Sequence, residues 1–105
     1  MINVNKLVWD AWNVEHIARH NVIPEEVEQV CHIDPIVQSG KKGRLLIFGP
    51  TKVGRMLAVI LDPEAETGVY YPITAYSASN KLIKIYQNQK EVKKNDSDKK
   101  NDSRF

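Results

Sequence analysis

The stretch from Arg44 to Tyr76, RLLIFGPTKVGRMLAVILDPEAETGVYYPITAY, contains three apolar runs that are separated by short turns. Each run is rich in branched or aromatic residues and is bounded by glycine, proline or aspartate, which predicts strands. Connections this short join neighbouring strands of an antiparallel meander. Because proline cannot donate to a sheet ladder, Pro72 predicts a strand edge or a bulge. The predicted strands are Arg44–Gly49, Arg55–Leu61 and Val69–Tyr76, with a shorter one at Ile36–Val37 and a first edge strand at Lys6–Trp9.

Two helices are predicted before the meander and one after it. Asp10 is a typical N-cap for the first helix, which we expect to end near His20 and Asn21, since asparagine tolerates the left-handed conformation. Pro24 suits the first turn of the second helix, which Asp34-Pro35 ends. The fold is therefore predicted to be α+β, with two N-terminal helices packed on a small, mostly antiparallel sheet of three to five strands and a C-terminal helix. The predicted apolar faces are Ala11, Val14, Ile17 and Ala18, then Val27, Val30 and Cys31, and finally Leu82, Ile85 and Tyr86 in a helix capped by Ser77 or Ser79.

The chain has 105 residues, of which 42% are hydrophobic, and this is enough for one domain. Residues 1–90 are predicted to form that domain, and residues 91–105 to be a disordered polar tail, because apolar residues nearly vanish there. No run approaches the ~20 apolar residues of a membrane span, and we expect no signal peptide at the N-terminus. The single cysteine, Cys31, suits a reducing cytoplasm, and we interpret it as a small buried residue.

The net charge of +2 is unevenly distributed along the chain. Six acidic residues and one base, Arg19, lie between Asp10 and Asp34, whereas five bases and no acid lie between Lys41 and Arg55. One interpretation is ordinary charge scatter on a solvated surface. The other is a basic region that attracts the phosphates of a nucleic acid.

A longer pattern of residues extends over most of the predicted domain. It begins with Trp9-Asp10-x-x-Asn13-x-x-His16-Ile17-x-x-His20-x-Val22-x-Pro24-x-Glu26-Val27-Glu28 and continues with Asp34-Pro35, the strand from Arg44, Gly54-Arg55-x-Leu57-x-Val59, Ile73-Thr74-Ala75 and a helix that carries Tyr86. This pattern resembles the BrnT family of type II toxins, and the resemblance covers roughly Lys6 to Gln89. Its N-terminal motif is quite specific, whereas the strand motifs alone would not be.

The resemblance implies a fold similar to the RelE-type ribonucleases. It also implies metal-independent RNA cleavage without a cofactor, and a hetero-oligomer with a cognate antitoxin protein that neutralises the toxin. The chain departs from the family pattern at two places. Tyr76 stands where the family usually has an arginine, and Asn80 to Lys84 replace a helix opening that usually contains a glutamate.

Metal-independent RNA cleavage needs a base for the 2′-hydroxyl, cations for the phosphorane and an acid for the leaving 5′-oxygen. If the strands that begin at Arg44 and Arg55 pair, both guanidinium groups are predicted to reach one sheet face and clamp a phosphate. The alternative is that these arginines mark the solvent edge. Lys42 and Lys52, in flanking turns, either add attraction for RNA or are simply solvated.

The remaining candidates are aromatic or imidazole side chains. Tyr76 either stacks on a base or transfers a proton, or it packs at a strand end. His16 and His20 share a helix face, where they act as a base, hold the helix end, or bind zinc with a third ligand. Trp9 and Trp12 are interpreted as packing residues rather than base-stacking platforms.

Two functional hypotheses from different classes therefore remain open. The first is an endoribonuclease toxin whose catalytic candidates are Arg44, Arg55, Tyr76, His16 and His20 and whose RNA-binding candidates also include Lys42 and Lys52. The second is a catalytically impaired homologue that serves as a binding module or as a partner in an antitoxin repressor complex. Retained arginines favour the first hypothesis, and the departures at Tyr76 and the last helix favour the second.

Overall fold

The predicted α+β fold is confirmed by a computed structural model, which describes residues 2–90. Within that range three helices accompany a single five-stranded sheet. The disorder predicted for residues 91–105 lies outside the described residues. The elements are β1 (Lys6–Leu7), α1 (Ala11–Ala18), α2 (Pro24–His32), β2 (Ile36–Ser39), β3 (Leu45–Pro50), β4 (Met56–Pro63), β5 (Val69–Ser77) and α3 (80–90).

The sheet has the strand order β1-β5-β4-β3-β2. Strands β2 to β5 form the predicted antiparallel meander, and β1 is parallel to β5. Ile60 lies opposite Thr74 while Leu61 lies opposite Pro72, so β5 contains an extra residue at this point. The bulge predicted at Pro72 is thereby confirmed. The first strand is shorter than predicted, since it ends at Leu7, and the Trp9 indole donates a hydrogen bond to Glu28 at 2.9 Å.

Side chains alternate between the two faces of the sheet along each strand. Both faces therefore carry apolar residues, and helices cover both of them. On one face α1 and α2 pack on a core that includes Ile47, Leu57 and Val59. On the other face α3 packs through Leu82, Ile85 and Tyr86 on a second group around Phe48. The predicted apolar faces of α2 and α3 are therefore confirmed. Within residues 2–90, none of the helices combines the length and the apolar content that crossing a membrane requires.

The apolar face predicted for α1 is partly wrong. Ile17 is fully buried, but Ala11 and Ala18 are exposed, and the second buried residue of the helix is Asn13. The Asn13 side chain accepts a hydrogen bond from the backbone of Asp10 at 2.9 Å and donates to the carbonyls of Val8 at 3.0 Å and Pro72 at 3.1 Å. A polar side chain thus takes a core position, since these bonds compensate for its burial.

Candidate functional site

The two arginines of the predicted phosphate clamp lie at opposite ends of the sheet. Arg44 precedes β3 and Arg55 precedes β4, and these strands are antiparallel with Leu45 opposite Leu61 and Pro50 opposite Met56. The six residues of β3 span about 20 Å at the usual rise per residue, so the two side chains start about that far apart. The prediction that both guanidinium groups meet over one phosphate is therefore wrong, because it overlooked the antiparallel direction of the strands.

Each arginine is also engaged in an internal ion pair. The Arg44 Nε lies 3.2 Å from an Asp62 carboxylate oxygen, and both side chains are about half exposed. The Arg55 Nη1 donates to both Glu26 carboxylate oxygens at 3.1 Å and to the Asn21 carbonyl at 2.7 Å. Its Nη2 lies 3.5 Å from the His20 carbonyl. Arg55 therefore joins the start of β4 to the turn between α1 and α2.

Four aromatic or imidazole rings form a continuous row, which we call the ring array: Trp12, His16, His20 and Tyr76. The Trp12 and His16 rings are stacked, with centroids 4.9 Å apart and an interplanar angle of 7°. The His16 and His20 rings follow edge to face at 5.7 Å, and His20 meets Tyr76 in the same manner at 6.2 Å. The structure thus brings together three of the five catalytic candidates, with a tryptophan beside them.

Helical spacing and the shape of the sheet both explain the ring array. Trp12, His16 and His20 are four residues apart, so they follow one another along one side of α1 and its C-terminal turn. Strand β1 pairs with β5 only as far as Tyr70, and α1 lies against β5. Tyr76, near the C-terminal end of β5, is therefore within reach of the helix. The packing role expected for Trp12 is wrong, since this side chain is 56% exposed.

The turn that carries His20 is held in place on two sides. Asn21 has the left-handed conformation predicted for it, with φ of 60°, and Val22 behind it is fully buried. Arg55 donates to the carbonyls of His20 and Asn21. Arg55 therefore holds the backbone that carries the His20 ring of the array. Sequence reasoning missed this role and missed Trp12, although the spacing of Trp12, His16 and His20 at four-residue intervals was a readable signal.

The two lysine candidates are divided between the ends of the sheet in the same way as the arginines. Lys42 lies in a short 3₁₀ turn (Lys41–Gly43) before β3, near Arg44. Lys52 lies in the turn between β3 and β4, near Arg55, and its backbone N–H donates to the Gln29 side chain at 2.9 Å. Both side chains are exposed. The basic middle segment is therefore two separate groups of cations and does not form one continuous patch.

Metal and thiol chemistry receive no support from the part of the chain that the structure describes. Within residues 2–90, no three His, Cys, Asp or Glu side chains converge on a point where they could hold a metal ion. His32 lies outside the ring array, with its ring nitrogens 3.0 Å from the Glu28 carbonyl and 3.2 Å from the Val4 carbonyl. Cys31 is buried, and burial, with a smaller effect from Glu28, raises its pKa to about 12. A neutral, enclosed thiol is a poor nucleophile.

The ring array can carry out two kinds of chemistry. Exposed aromatic faces stack on nucleobases, and this interaction tolerates any base sequence. Imidazoles accept and donate protons near neutral pH, which general acid–base catalysis requires. These features define an α+β domain with a candidate site on the outer side of its first helix. Comparisons of the chain with protein-family models, curated proteins and solved structures returned no match.

Proposed function

We propose that this chain is the toxin of a type II toxin–antitoxin pair, an endoribonuclease that binds RNA at the ring array. The observation that carries the proposal is the series of ring contacts from Trp12 through His16 and His20 to Tyr76. The resemblance of the sequence to the BrnT family supports the class of protein. The α+β fold agrees with it at a coarse level.

The proposed reaction is transesterification by the neighbouring hydroxyl group. The 2′-oxygen attacks the adjacent phosphorus, its proton passes to one imidazole, and the bond to the 5′-oxygen breaks. A second proton donor, either the other imidazole or the Tyr76 hydroxyl, protonates the leaving 5′-oxygen. The products are a 2′,3′-cyclic phosphate and a free 5′-hydroxyl, so no metal ion or bound water is needed for this step.

The proposed site lacks an arginine clamp, and a protonated imidazole takes over part of that role. Its positive charge beside the phosphate stabilises the negative charge that develops on the phosphorane. Trp12, exposed at the far end of the array, offers a flat surface for a base that flanks the scissile phosphate. A single imidazolium stabilises this charge less than two guanidinium groups would, so we expect a modest cleavage rate.

The test of this proposal compares two histidine substitutions. His20→Gln removes the central ring of the array, whereas His32→Gln changes a histidine that lies outside it. Loss of general acid–base catalysis typically lowers a rate by about 10²–10⁴-fold. We expect His20→Gln to lower RNA cleavage by about 10²-fold or more and to relieve growth arrest on induction, while His32→Gln behaves as wild type.

End-group analysis of the cleaved RNA identifies the reaction. A 2′,3′-cyclic phosphate supports the proposed attack by the 2′-hydroxyl, and a 3′-hydroxyl with a 5′-phosphate contradicts it. Wild-type protein that leaves RNA intact and does not arrest growth would rule out the enzyme.

The second candidate function is a binding module without catalysis, acting as an antitoxin partner in a repressor complex. One observation favours it specifically: both arginines expected to hold the scissile phosphate are paired with carboxylates, Arg44 with Asp62 and Arg55 with Glu26. On this hypothesis the purified protein leaves RNA intact, yet it still forms a complex with its antitoxin. Co-purification of the pair, assayed together with RNA cleavage, separates the two functions.

A further inference from the structure

Helix α3 covers only part of its face of the sheet. Ile36, Phe48, Ala58 and Tyr76 lie opposite one another across four strands, and α3 packs on this row. The next row on the same face consists of Gln38, Leu46, Ile60 and Thr74. Leu46 and Ile60 are only half-buried there. A strip of apolar sheet surface is therefore left beside α3.

This strip forms the floor of an open groove of about 600 Å³. Leu46 and Ile60 supply apolar surface, and Gln38 and Ser39 of the edge strand β2 line one side. The rim consists of Lys41, Lys42 and Arg44 from the turn between β2 and β3. An apolar floor with a positively charged rim distinguishes this groove from ordinary solvated sheet surface.

The basic rim is held in a defined conformation. The Gly40 N–H donates to the Arg44 carbonyl at 2.7 Å, and the Arg44 N–H donates to the Lys41 carbonyl at 3.1 Å. Lys42 has a left-handed backbone with φ of 59°, and Gly43 follows with φ of 77°. A β-carbon at Gly43 would lie 3.1 Å from the Pro63 ring, so this position suits glycine. The rim is thus fixed by the backbone before any partner arrives.

We propose that this groove binds an acidic segment of a partner protein that also carries apolar side chains. Arg44 is paired with Asp62, but within residues 2–90 neither Lys41 nor Lys42 forms an ion pair. Carboxylates of the partner meet these two ammonium groups, and its apolar side chains cover Leu46 and Ile60. Complementary charge of this kind selects partners and speeds their encounter.

The groove fits an acidic protein segment better than it fits its two main competitors. RNA would bring phosphates to the lysines but would leave the apolar floor without a matching surface. The acidic helix α2 of a second copy is a poor match, because its Glu26 is paired with Arg55 and its Glu28 accepts a hydrogen bond from the Trp9 indole. Those two carboxylates are already engaged within the chain.

The proposal does not depend on RNA cleavage, because the groove and the ring array have no residue in common. The probes are two fluorescent 12-residue peptides of leucine and glutamate, one with alternating residues and one with leucines at helical spacing. Matched peptides replace every glutamate with lysine, or every leucine with serine. Binding is followed by fluorescence anisotropy on the full chain, and each variant is checked by thermal unfolding.

Three variants locate the binding. Lys41→Glu with Lys42→Glu reverses the charge of the rim, and Ile60→Thr makes the floor polar while keeping a β-branched residue in the strand. The control, Lys81→Glu with Lys84→Glu, makes the same charge change on the exposed side of α3. We expect at least one leucine–glutamate peptide to bind. The affinity of that peptide should fall about tenfold or more for the variant with the reversed rim and should also fall clearly for Ile60→Thr. The control variant should bind the peptide as wild type does.

Four results would overturn the proposal. They are the absence of binding by both leucine–glutamate peptides up to about 1 mM, equal binding of the lysine or serine peptides, and an equal loss in the α3 control. The fourth is evidence that something other than an acidic segment occupies the groove. Single-stranded RNA whose affinity falls in the reversed-rim variant and in no other variant would be such evidence, and so would self-association that Ile60→Thr abolishes. His20→Gln, which tests the ribonuclease proposal, leaves every residue that lines the groove unchanged, so the two proposals can fail separately.

Discussion

At the scale of single residues, the junction between β1 and α1 depends on two polar side chains. Asp10 caps α1 by accepting a hydrogen bond from the Asn13 backbone at 3.0 Å, and it also accepts one from the Tyr71 hydroxyl at 2.9 Å. Asn13 returns a bond to the Asp10 backbone and, from a fully buried position, joins α1 to β5 through the Pro72 carbonyl. These two residues fix the start of the helix that carries Trp12 and His16 of the ring array.

Replacing Asn13 is expected to be costly for stability. Asn13→Ala leaves the Val8 and Pro72 carbonyls without their donor, and each buried group that loses its partner costs about 1–3 kcal/mol. We expect the free energy of unfolding in urea to fall by about 3 kcal/mol. Glu15→Ala, an exposed change in the same helix, is the control and should alter stability by less than about 0.5 kcal/mol. A loss of equal size in both variants would contradict this role for Asn13.

Asp10 is expected to make stability depend on pH in acid. The Asn13 amide lowers the pKa of the Asp10 carboxyl below 3.8, desolvation opposes this shift, and the Tyr71 hydroxyl adds to it. A carboxyl whose pKa is lower in the folded state stabilises the protein above its unfolded pKa, and this contribution is lost as pH falls through the folded pKa. Asp10→Asn should therefore destabilise the protein at neutral pH. The difference from wild type, measured by urea unfolding, should shrink below pH 3.8. A difference that stays constant down to about pH 2 would argue against this ionisation.

At the scale of elements, the turn between α1 and α2 determines where His20 lies. Its shape comes from left-handed Asn21, buried Val22 and the Arg55 guanidinium, which contacts the turn from the start of β4. Glu26, in the first turn of α2, completes the contact, and its carboxylate also accepts a hydrogen bond from the Ile23 backbone at 3.1 Å. One arginine thereby connects two helices and a strand.

The two arginines are expected to differ sharply in their effects on stability. Arg55 and Glu26 are 30% and 20% exposed, whereas Arg44 and Asp62 are 54% and 42% exposed. Hydrogen bonds to charged groups that are partly shielded contribute about 1.5–3 kcal/mol, but exposed ion pairs contribute about 0–1 kcal/mol. Arg55→Ala should therefore reduce the free energy of unfolding by about 2 kcal/mol, and Arg44→Ala by less than about 0.5 kcal/mol.

A double-mutant cycle checks the cause of this difference. Arg55→Ala and Glu26→Ala, alone and combined, should show a coupling energy of about 1 kcal/mol or more. Additive effects would mean that the Arg55 contribution comes from its packing and its bonds to the turn carbonyls.

At the scale of the whole molecule, local signals in the sequence predicted the elements but not how their side chains meet. Apolar runs rich in branched and aromatic residues predicted the strands, while Pro24, Asn21 and Pro72 predicted the second helix, the turn and the bulge. Each of these signals depends on a few neighbouring residues. The prediction of an arginine clamp was wrong, because such a clamp depends on the direction of the two strands and on the partner that each guanidinium group finds in the fold. The parallel pairing of β1 with β5 was likewise not predictable from the two residues of β1.

The ring array, too, was only partly predictable from the sequence. The spacing of His16 and His20 predicted a shared helix face, but their meeting with Tyr76 depends on β1 ending early and on α1 lying against β5. Trp12 was expected to be a packing residue, but it is 56% exposed and its ring stacks on that of His16. Contacts between distant segments, such as those of Arg55 with Glu26, require the fold itself.

The most direct measurement of the central claim is an NMR titration of the chain with a single-stranded 2′-O-methyl oligoribonucleotide, which can bind but cannot undergo 2′-hydroxyl attack. If RNA binds at the ring array, the Trp12 indole signal and the His16 and His20 ring signals shift, while signals from Lys41 to Arg44 stay in place. Shifts confined to Lys41–Arg44, or no shifts anywhere at millimolar RNA, would contradict the account.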